Sequence, residues 1–275
     1  MNAKICFIGA GNMAKSLIGG LLASGYEAKN IIATDPSEEQ RQALSSQFAI
    51  ESFADNNEAL MHADIVVLAV KPQILRDVCA EISSTVQAGS PLVLSIAAGI
   101  RTDDIDRWLG GNLAIVRTMP NTPALIQTGA TGLFANARVN NEQQSQAEHI
   151  MRATGLTLWV DTEAKIDAVT ALSGSGPAYY FLFMEAMENA AEKLGLDHKT
   201  AHLLTMQTAL GAAKMVMESH QDCAQLRANV TSPNGTTQKA IEHFESKNLR
   251  EIVEGAMTDA YKRAQELADE LGGNA

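Results

Sequence analysis

The sequence predicts an α/β protein with a doubly wound parallel sheet in its N-terminal part and an all-helical C-terminal part. In the first half, short β-branched apolar runs alternate with segments of helical periodicity, which is the order of a parallel sheet covered on both faces. After about residue 160 the strand-like runs stop and only helical patterns follow. Because 275 residues suit one or two domains, we expect two, at 1–160 and 161–275.

The elements of the first half are bounded by turn residues and helix-start signals. Ser37 is a good N-cap for a helix over 38–48, and Pro72 suits the first turn of another helix. Strands are predicted at 4–9, 30–35, 63–70, 91–98 and 113–119, with helices at 13–24, 38–48, 72–82 and 102–109.

The second half carries long apolar helical patterns, which we expect at 179–194, 199–219, 236–245 and 249–271. Residues 179–185 are apolar almost all round, which indicates burial on every side of that helix. Such faces are better buried between two subunits than within one chain. We therefore expect an obligate homodimer or a higher homo-oligomer.

Composition excludes several classes of protein. The chain has 21 Lys and Arg against 32 Asp and Glu, an acidic balance that argues against nucleic-acid and anionic-membrane partners. Cys6, Cys79 and Cys223 are far apart, so neither a disulfide scaffold nor a cysteine zinc site is expected. His198 and His202 are four residues apart but lack a third ligand nearby, and we predict no metal site. With no secretory leader pattern, a cytoplasmic location is expected.

A glycine-rich turn stands between the first strand and the first helix. The run from Gly9 to Ala14 matches G-x-G-x-x-G/A, in which Gly9 allows a tight turn and Gly11 lets a pyrophosphate approach the backbone. The N-terminus of the following helix would face that anion. This context predicts a Rossmann-type dinucleotide-binding domain.

Polar residues near the ends of the next strands are candidates for contacts with the cofactor. Asp35 ends the second strand, where its carboxylate either accepts from a ribose 2′-hydroxyl or only caps the next helix. Ser37 and Asn56 could bond a 2′-phosphate. Lys71, at the end of the third strand, is either a cofactor contact or a solvated charge at a helix start.

Six segments, in order, resemble the pyrroline-5-carboxylate reductase family. They are IGAGNMA, LAVKPQ, VLSIAAGI, VRTMPNTPALIQTGATG, LSGSGPAYYF and SPNGTTQKAIEHFE, and the resemblance runs from about residue 4 to about residue 270. It implies the reduction of 1-pyrroline-5-carboxylate to L-proline with NADP(H), with NAD(H) as a second option. It also implies an N-terminal Rossmann domain and a C-terminal helical domain for substrate binding and dimerisation.

The resemblance also implies a set of site residues, matched motif by motif. The pyrophosphate would be held by Ile8, Gly9, Ala10, Gly11, Asn12 and Met13. The rest of the cofactor would be lined by Ala69, Val70, Lys71, Pro72 and Ala97, with Met119, Pro120 and Asn121 near the nicotinamide. The substrate would be surrounded by Ser173, Gly174, Ser175, Gly176, Gly235, Thr236 and Thr237.

The chemistry of a cyclic imine with a carboxylate suits these residues. Thr237 is the preferred partner for the ring nitrogen, with Thr236 second, and Ser173 is the other candidate catalytic residue. The carboxylate could be bound by free backbone N–H groups where SGSGP begins a helix at Pro177. Asn234 replaces a family glycine, and we expect it to keep the turn because Asn tolerates left-handed backbone angles.

Two alternatives stay open at this point. A β-hydroxyacid dehydrogenase or another imine reductase shares the two-domain plan, although a dehydrogenase of that class needs a lysine on the long helix, where Lys193 comes late. A non-catalytic NADP-sensing protein would instead be expected to have degraded substrate motifs, whereas SGSGPAY and Gly-Thr-Thr are intact.

Overall fold

The structure, a computed structural model, describes residues 3–61 and 63–273. It divides into two compact units. The sheet unit comprises the chain up to Ser175 and the segment from Ala260 onwards, and the helical unit is Gly176–Asp259. The last strand ends at Trp159, and the sheet unit continues beyond it. The functional boundary at residue 160 stays a prediction.

One sheet organises the described part of the sheet unit, with strand order β3-β2-β1-β4-β5-β6-β7-β8. Its strands are β1 (Ile5–Ile8), β2 (Ile31–Thr34), β3 (Glu51–Phe53), β4 (Ile65–Leu68), β5 (Leu92–Ser95), β6 (Ile115–Met119), β7 (Gly129–Ala135) and β8 (Gly155–Trp159). Neighbours pair in parallel except β6 and β7, which are antiparallel. The order reverses on either side of β1, as in doubly wound sheets.

Helices connect and follow these strands. They are α1 (Asn12–Ala23), α2 (Glu38–Phe48), α3 (Asn56–Leu60), α4 (Pro72–Gly89), α5 (Thr102–Trp108), α6 (Asn141–Arg152), α7 (Ala164–Val169), α8 (Gly176–Lys193), α9 (His198–Glu218), α10 (Cys223–Asn229), α11 (Thr236–Ser246) and α12 (Leu249–Gly272). A π-helical turn, Thr170–Gly174, stands between α7 and α8. Helix α12 begins in the helical unit and ends in the sheet unit.

The α/β fold class and the predicted strands are confirmed, but the sheet is larger than expected. Sequence reasoning missed β3, β7 and β8, together with α3, α6, α7 and α10, and it ended α4 several residues early. Strands β7 and β8 carry Gly129, Gly132 and Gly155 in place of β-branched residues, so their apolar pattern is weak. Their pairing with β6 is a tertiary effect that propensity does not report.

The core of the sheet unit lies on both faces of the sheet. One cluster packs α1 and α6 against residues such as Phe7, and the other packs α4 and α5 against residues such as Val66. The end of α12 belongs to the sheet unit, where Asp269 forms an ion pair with Arg101 at 2.7 Å. Within 3–61 and 63–273, no helix is long and apolar enough to cross a membrane.

Candidate active site

The turn after β1 is built as a glycine-rich anion cradle. Gly9 has φ +104°, and a Cβ there would lie 2.7 Å from the carbonyl oxygen of Ala69, so only glycine fits without strain. Gly11 is the N-cap of α1, and the space where its Cβ would stand is open. Helix geometry leaves the N–H groups of the first turn, from Asn12 onwards, without intrahelical acceptors. The turn therefore fits a dinucleotide pyrophosphate.

The parallel strands bring most of the predicted cofactor residues to one edge of the sheet. Ile8 ends β1 and Ala10 follows it, Asp35 follows β2, and Met119 ends β6. The residues Ala69, Val70, Lys71 and Pro72 follow β4, and Ala97 follows β5. Lys71 is exposed and is the N-cap of α4 without a side-chain cap bond. In doubly wound sheets this carboxyl edge is where ligands bind.

Asp35 links the glycine turn to the start of α2. Its Oδ2 accepts from the N–H of Ala10 at 3.0 Å, and its Oδ1 accepts from the N–H of Ser37 at 2.9 Å. The Ser37 hydroxyl caps α2 at Gln40, as predicted. Asn56 accepts from the Thr34 hydroxyl at 2.6 Å. A half-buried carboxylate thus stands fixed beside the pyrophosphate turn.

The end of β6 contacts the π-helical turn directly. Asn121 donates from Nδ2 to the carbonyl oxygen of Ser173 at 3.0 Å and accepts at Oδ1 from the N–H of Ala130 at 2.9 Å. A Cβ on Gly174 would lie 2.5 Å from Cε of Met119. The structure therefore joins two motifs that are some 50 residues apart in sequence.

The run SGSGP spans the end of a π-helical turn and the start of α8. Ser173 and Gly174 lie in the π-helical turn, and the N–H of Ser175 donates to the carbonyl of Thr170 at 2.8 Å. Helix α8 begins at Gly176, one residue before Pro177, which has no N–H. The N–H of Ser175 is therefore engaged, while helix geometry leaves those of Gly176 and Ala178, in the first turn of α8, without intrahelical acceptors. The Ser173 hydroxyl donates to the carbonyl of Val169 at 3.1 Å.

A buried ion-pair network connects β6 to α7, the helix that precedes this turn. Arg117 on β6 is 2% exposed and donates to Asp167 at 2.9 Å and to Glu163 at 3.4 Å. Glu163 also accepts from the N–H and the hydroxyl of Thr102. Sequence reasoning missed the network because its members are far apart in the chain.

The start of α11 has the predicted left-handed turn. Asn234 has φ +59°, so the expectation that asparagine keeps this turn is confirmed. Gly235 is the N-cap, which makes Thr236 and Thr237 the first two helical residues. Among the described residues, neither threonine hydroxyl bonds to a protein atom, and Thr237 is half-buried. Their N–H groups belong to the unbonded first turn.

The cysteines and the paired histidines have other environments. Burial raises the pKa of Cys6 and of Cys79 to about 12, so both are protonated, unreactive thiols at neutral pH. His198 bonds to Glu192, which raises the pKa of the imidazole. The structure holds no group of three or more metal-ligating side chains within its described residues.

Known proteins match the chain over nearly its whole length. Residues 163–267 match the family model for pyrroline-5-carboxylate reductase dimerisation, and residues 4–99 match that for the coenzyme F420-dependent NADP oxidoreductases. A pyrroline-5-carboxylate reductase from Pseudomonas aeruginosa is 52% identical over 269 residues, which cover 98% of each chain. The chain belongs to the pyrroline-5-carboxylate reductase family.

Solved structures of this reductase family share the fold. That of the enzyme from Coxiella burnetii is 48% identical with a TM-score of 0.94, over 98% of this chain and 99% of that one. The Plasmodium falciparum pyrroline carboxylate reductase, solved with NADP bound, is 29% identical with a TM-score of 0.86 over 97% and 98%. The resemblance of the six segments to this family is therefore confirmed.

Proposed function

We propose that the chain reduces 1-pyrroline-5-carboxylate to L-proline with NADP(H), the last step of proline biosynthesis. It is an oxidoreductase that acts on a C=N bond, with NAD(H) as a second cofactor. The observation that carries the proposal is the 3.0 Å bond from Asn121 to Ser173, because it joins the cofactor edge of the sheet to a segment specific to this family. The 52% identity to a named reductase supports it over 98% of the chain.

The residues of the glycine turn bind the cofactor. Backbone N–H groups from Gly11 to Met13 hold the pyrophosphate, and the residues after β4 and β5 line the adenosine and ribose parts. Asp35, Ser37 and Asn56 stand where a ribose 2′-substituent would be recognised. NADPH held there would supply a hydride to the carbon of the C=N bond, the nitrogen keeping the proton that it carries as an iminium.

Two segments bind the substrate. The segment from Ser173 to Gly176 and the start of α11 from Gly235 to Thr237 each contribute small residues that let a carboxylate or a ring approach the backbone. At α11, the N-terminal N–H groups suit the carboxylate. Thr237 hydrogen-bonds the ring nitrogen through a hydroxyl that no protein atom within the described residues engages. Ser173 is the second candidate for a catalytic contact.

The assembly is a homodimer or a larger homo-oligomer, and the C-terminal helices supply the contacts between subunits. The match of residues 163–267 to the dimerisation model supports this, as do the exposed apolar side chains of α8 and α9. We also propose the domain functions at 1–160 and 161–275. A cytoplasmic location is proposed on the support of three cysteines that are free thiols, and cell fractionation would test it.

The test of the function follows the absorbance of NADPH and of NADH with pyrroline-5-carboxylate as substrate. Turnover is expected, and its absence with both cofactors would contradict the proposal. In the same assay, Thr237→Ala should lower kcat/KM for the imine about a hundredfold, since a transition-state hydrogen bond is lost. The Kd for NADPH should stay the same. Unchanged kinetics would remove Thr237 from the mechanism.

A further inference from the structure

The carbonyl of Ser173 has no donor within its own helical run. In an α-helix it would accept from the N–H four residues later, and that residue is Pro177, which has none. The chain forms a π-helical turn over Thr170–Gly174, in which the N–H of Ser175 donates to the carbonyl of Thr170 at 2.8 Å. A single π-turn inserted next to a helical run is a frequent feature of functional sites.

Asn121 supplies the donor that Pro177 lacks. Its Nδ2 donates to the Ser173 carbonyl at 3.0 Å, and its Oδ1 accepts from the N–H of Ala130 at 2.9 Å. The side-chain nitrogen and oxygen of Asn121 are thus both bonded to backbone atoms, one in the π-helical turn and one in β7. The bond is part-buried, and a carbonyl left there without a donor would lose up to about 1–3 kcal/mol, the general cost for a fully buried one, so this contact stabilises the turn in its observed shape.

A second residue from the same strand end supports the next residue of the turn. Met119 packs where a Cβ on Gly174 would stand, with its Cε only 2.5 Å from that position. The end of β6 therefore positions two consecutive residues of the substrate segment, Ser173 by a hydrogen bond and Gly174 by packing. Buried Arg117 fixes β6 to α7, one turn earlier in the chain.

We infer that Asn121 is a positioning residue for the reduction, acting through Ser173 rather than by a side-chain contact with the cofactor. The inference rests on the proposed function, in which Ser173 to Gly176 bind the substrate. Asn121 holds the π-helical turn at the strand end that lies on the cofactor edge. It thereby sets where the substrate segment stands, and a shift of the turn disturbs substrate reduction more than cofactor binding.

The test compares Asn121→Asp with Asn136→Asp. Aspartate at 121 keeps an oxygen for Ala130 but loses the donor to Ser173. Asn136 makes a matched contact at the other end of β6, where its Nδ2 donates to Leu113 at 2.9 Å and its Oδ1 accepts from Ile115 at 3.2 Å. Both side chains are half-buried, so the two substitutions should lower Tm by similar amounts.

The measurements are kcat and KM for pyrroline-5-carboxylate, the Kd for NADPH by titration calorimetry, and Tm. Asn121→Asp should lower kcat/KM at least tenfold and leave the Kd within twofold, whereas Asn136→Asp should leave both within twofold. A parallel loss of NADPH affinity in Asn121→Asp would overturn the inference in favour of a cofactor contact. An equal loss of kcat/KM in Asn136→Asp would reduce the role of Asn121 to stability alone.

Two further variants keep the result decisive. Adding Pro177→Ala to Asn121→Asp returns an N–H four residues after Ser173 and should recover part of kcat/KM, and no recovery would contradict the role of the Ser173 carbonyl. Should Asn121→Asp not fold, Asn121→Gln carries the same groups one methylene further and should show the same split. Turnover by the unsubstituted enzyme is measured first, since its absence would count against the proposed function and not against this inference.

Discussion

The sheet unit and the helical unit bury their apolar residues to very different extents. In the sheet unit, strands such as β1 and β4 are buried at every position, and large side chains fill both faces. From 176 to 259, a range the structure describes in full, the buried residues are Gly176, Ala201 and Thr205. Apolar residues there are mostly exposed in the single chain, including Tyr180 at 70% and Leu182 at 67%.

This difference shows which unit leaves apolar surface for a partner to cover. The sheet unit supplies its own cover, because helices lie on both faces of the sheet. Exposed apolar surface on the scale of the helical unit is unfavourable in water and marks an interface. The match to a dimerisation model explains what covers it. The buried core thus lies mainly in the sheet unit, and the exposed apolar surface that an interface would cover lies in the helical unit.

The largest effect is expected from a charge on the helical unit. Leu182→Glu should dissociate the oligomer and abolish activity, since two symmetry-related leucines each lose about 1.5–3 kcal/mol of burial, or about 10²–10⁴-fold in the dimer Kd. Met61→Glu on the sheet unit is the matched control, being 64% exposed in the single chain. Light scattering at micromolar concentration measures both. A stable dimer with Leu182→Glu would contradict the assignment of the subunit interface to the helical unit.

The next effect concerns the charges buried in the sheet unit. Arg117→Met leaves Asp167, which is 4% exposed, without its partner, and should lower the free energy of unfolding by about 3–5 kcal/mol. Arg250→Met, which removes the exposed ion pair with Glu245 in the helical unit, should leave the urea midpoint unchanged. Equal changes in the urea midpoint of the two variants would show that burial of an ion pair does not determine how much it contributes to stability.

The smallest effect sharpens the assignment of cofactor binding to the sheet unit. Asp35→Asn keeps an oxygen for the N–H of Ala10 but removes a negative charge that would repel a 2′-phosphate. The ratio of the Kd for NADPH to that for NADH should fall about tenfold, with no change in the oligomer. Calorimetric titration with both cofactors measures the ratio. An unchanged ratio would assign Asp35 to holding the glycine turn only.

Local patterns were sufficient where local physics decides the structure. The glycine turn between β1 and α1 could be predicted because Gly9 and Gly11 are adjacent to the strand and the helix that they connect. The helix start at Gly235 was predictable for the same reason, since Asn234 adopts its left-handed angle within the turn itself. The carboxyl-edge residues followed from the alternation of strands and helices.

The substrate segment could not be predicted in this way. SGSGP has the composition of a loop and a helix start, and a helix does begin at Gly176, but Ser173 and Gly174 lie in a π-helical turn that Asn121 and Met119 contact from a distant strand end. The one local signal was Pro177, four residues after Ser173, which marks a carbonyl in need of a donor from elsewhere. Strands β7 and β8 were missed for the same reason, because their stability comes from pairing across the sheet.

The sequence by itself determined the α/β fold class, the cofactor turn and the family, since each depends on residues within a few positions of one another or on motifs in a fixed order. Only the tertiary structure decided the shape of the substrate segment, the buried partners of Arg117 and the role of Asn121. The physical reason is that a carbonyl or a charge removed from water must find a partner, and the fold, not the neighbouring sequence, brings that partner within about 3 Å.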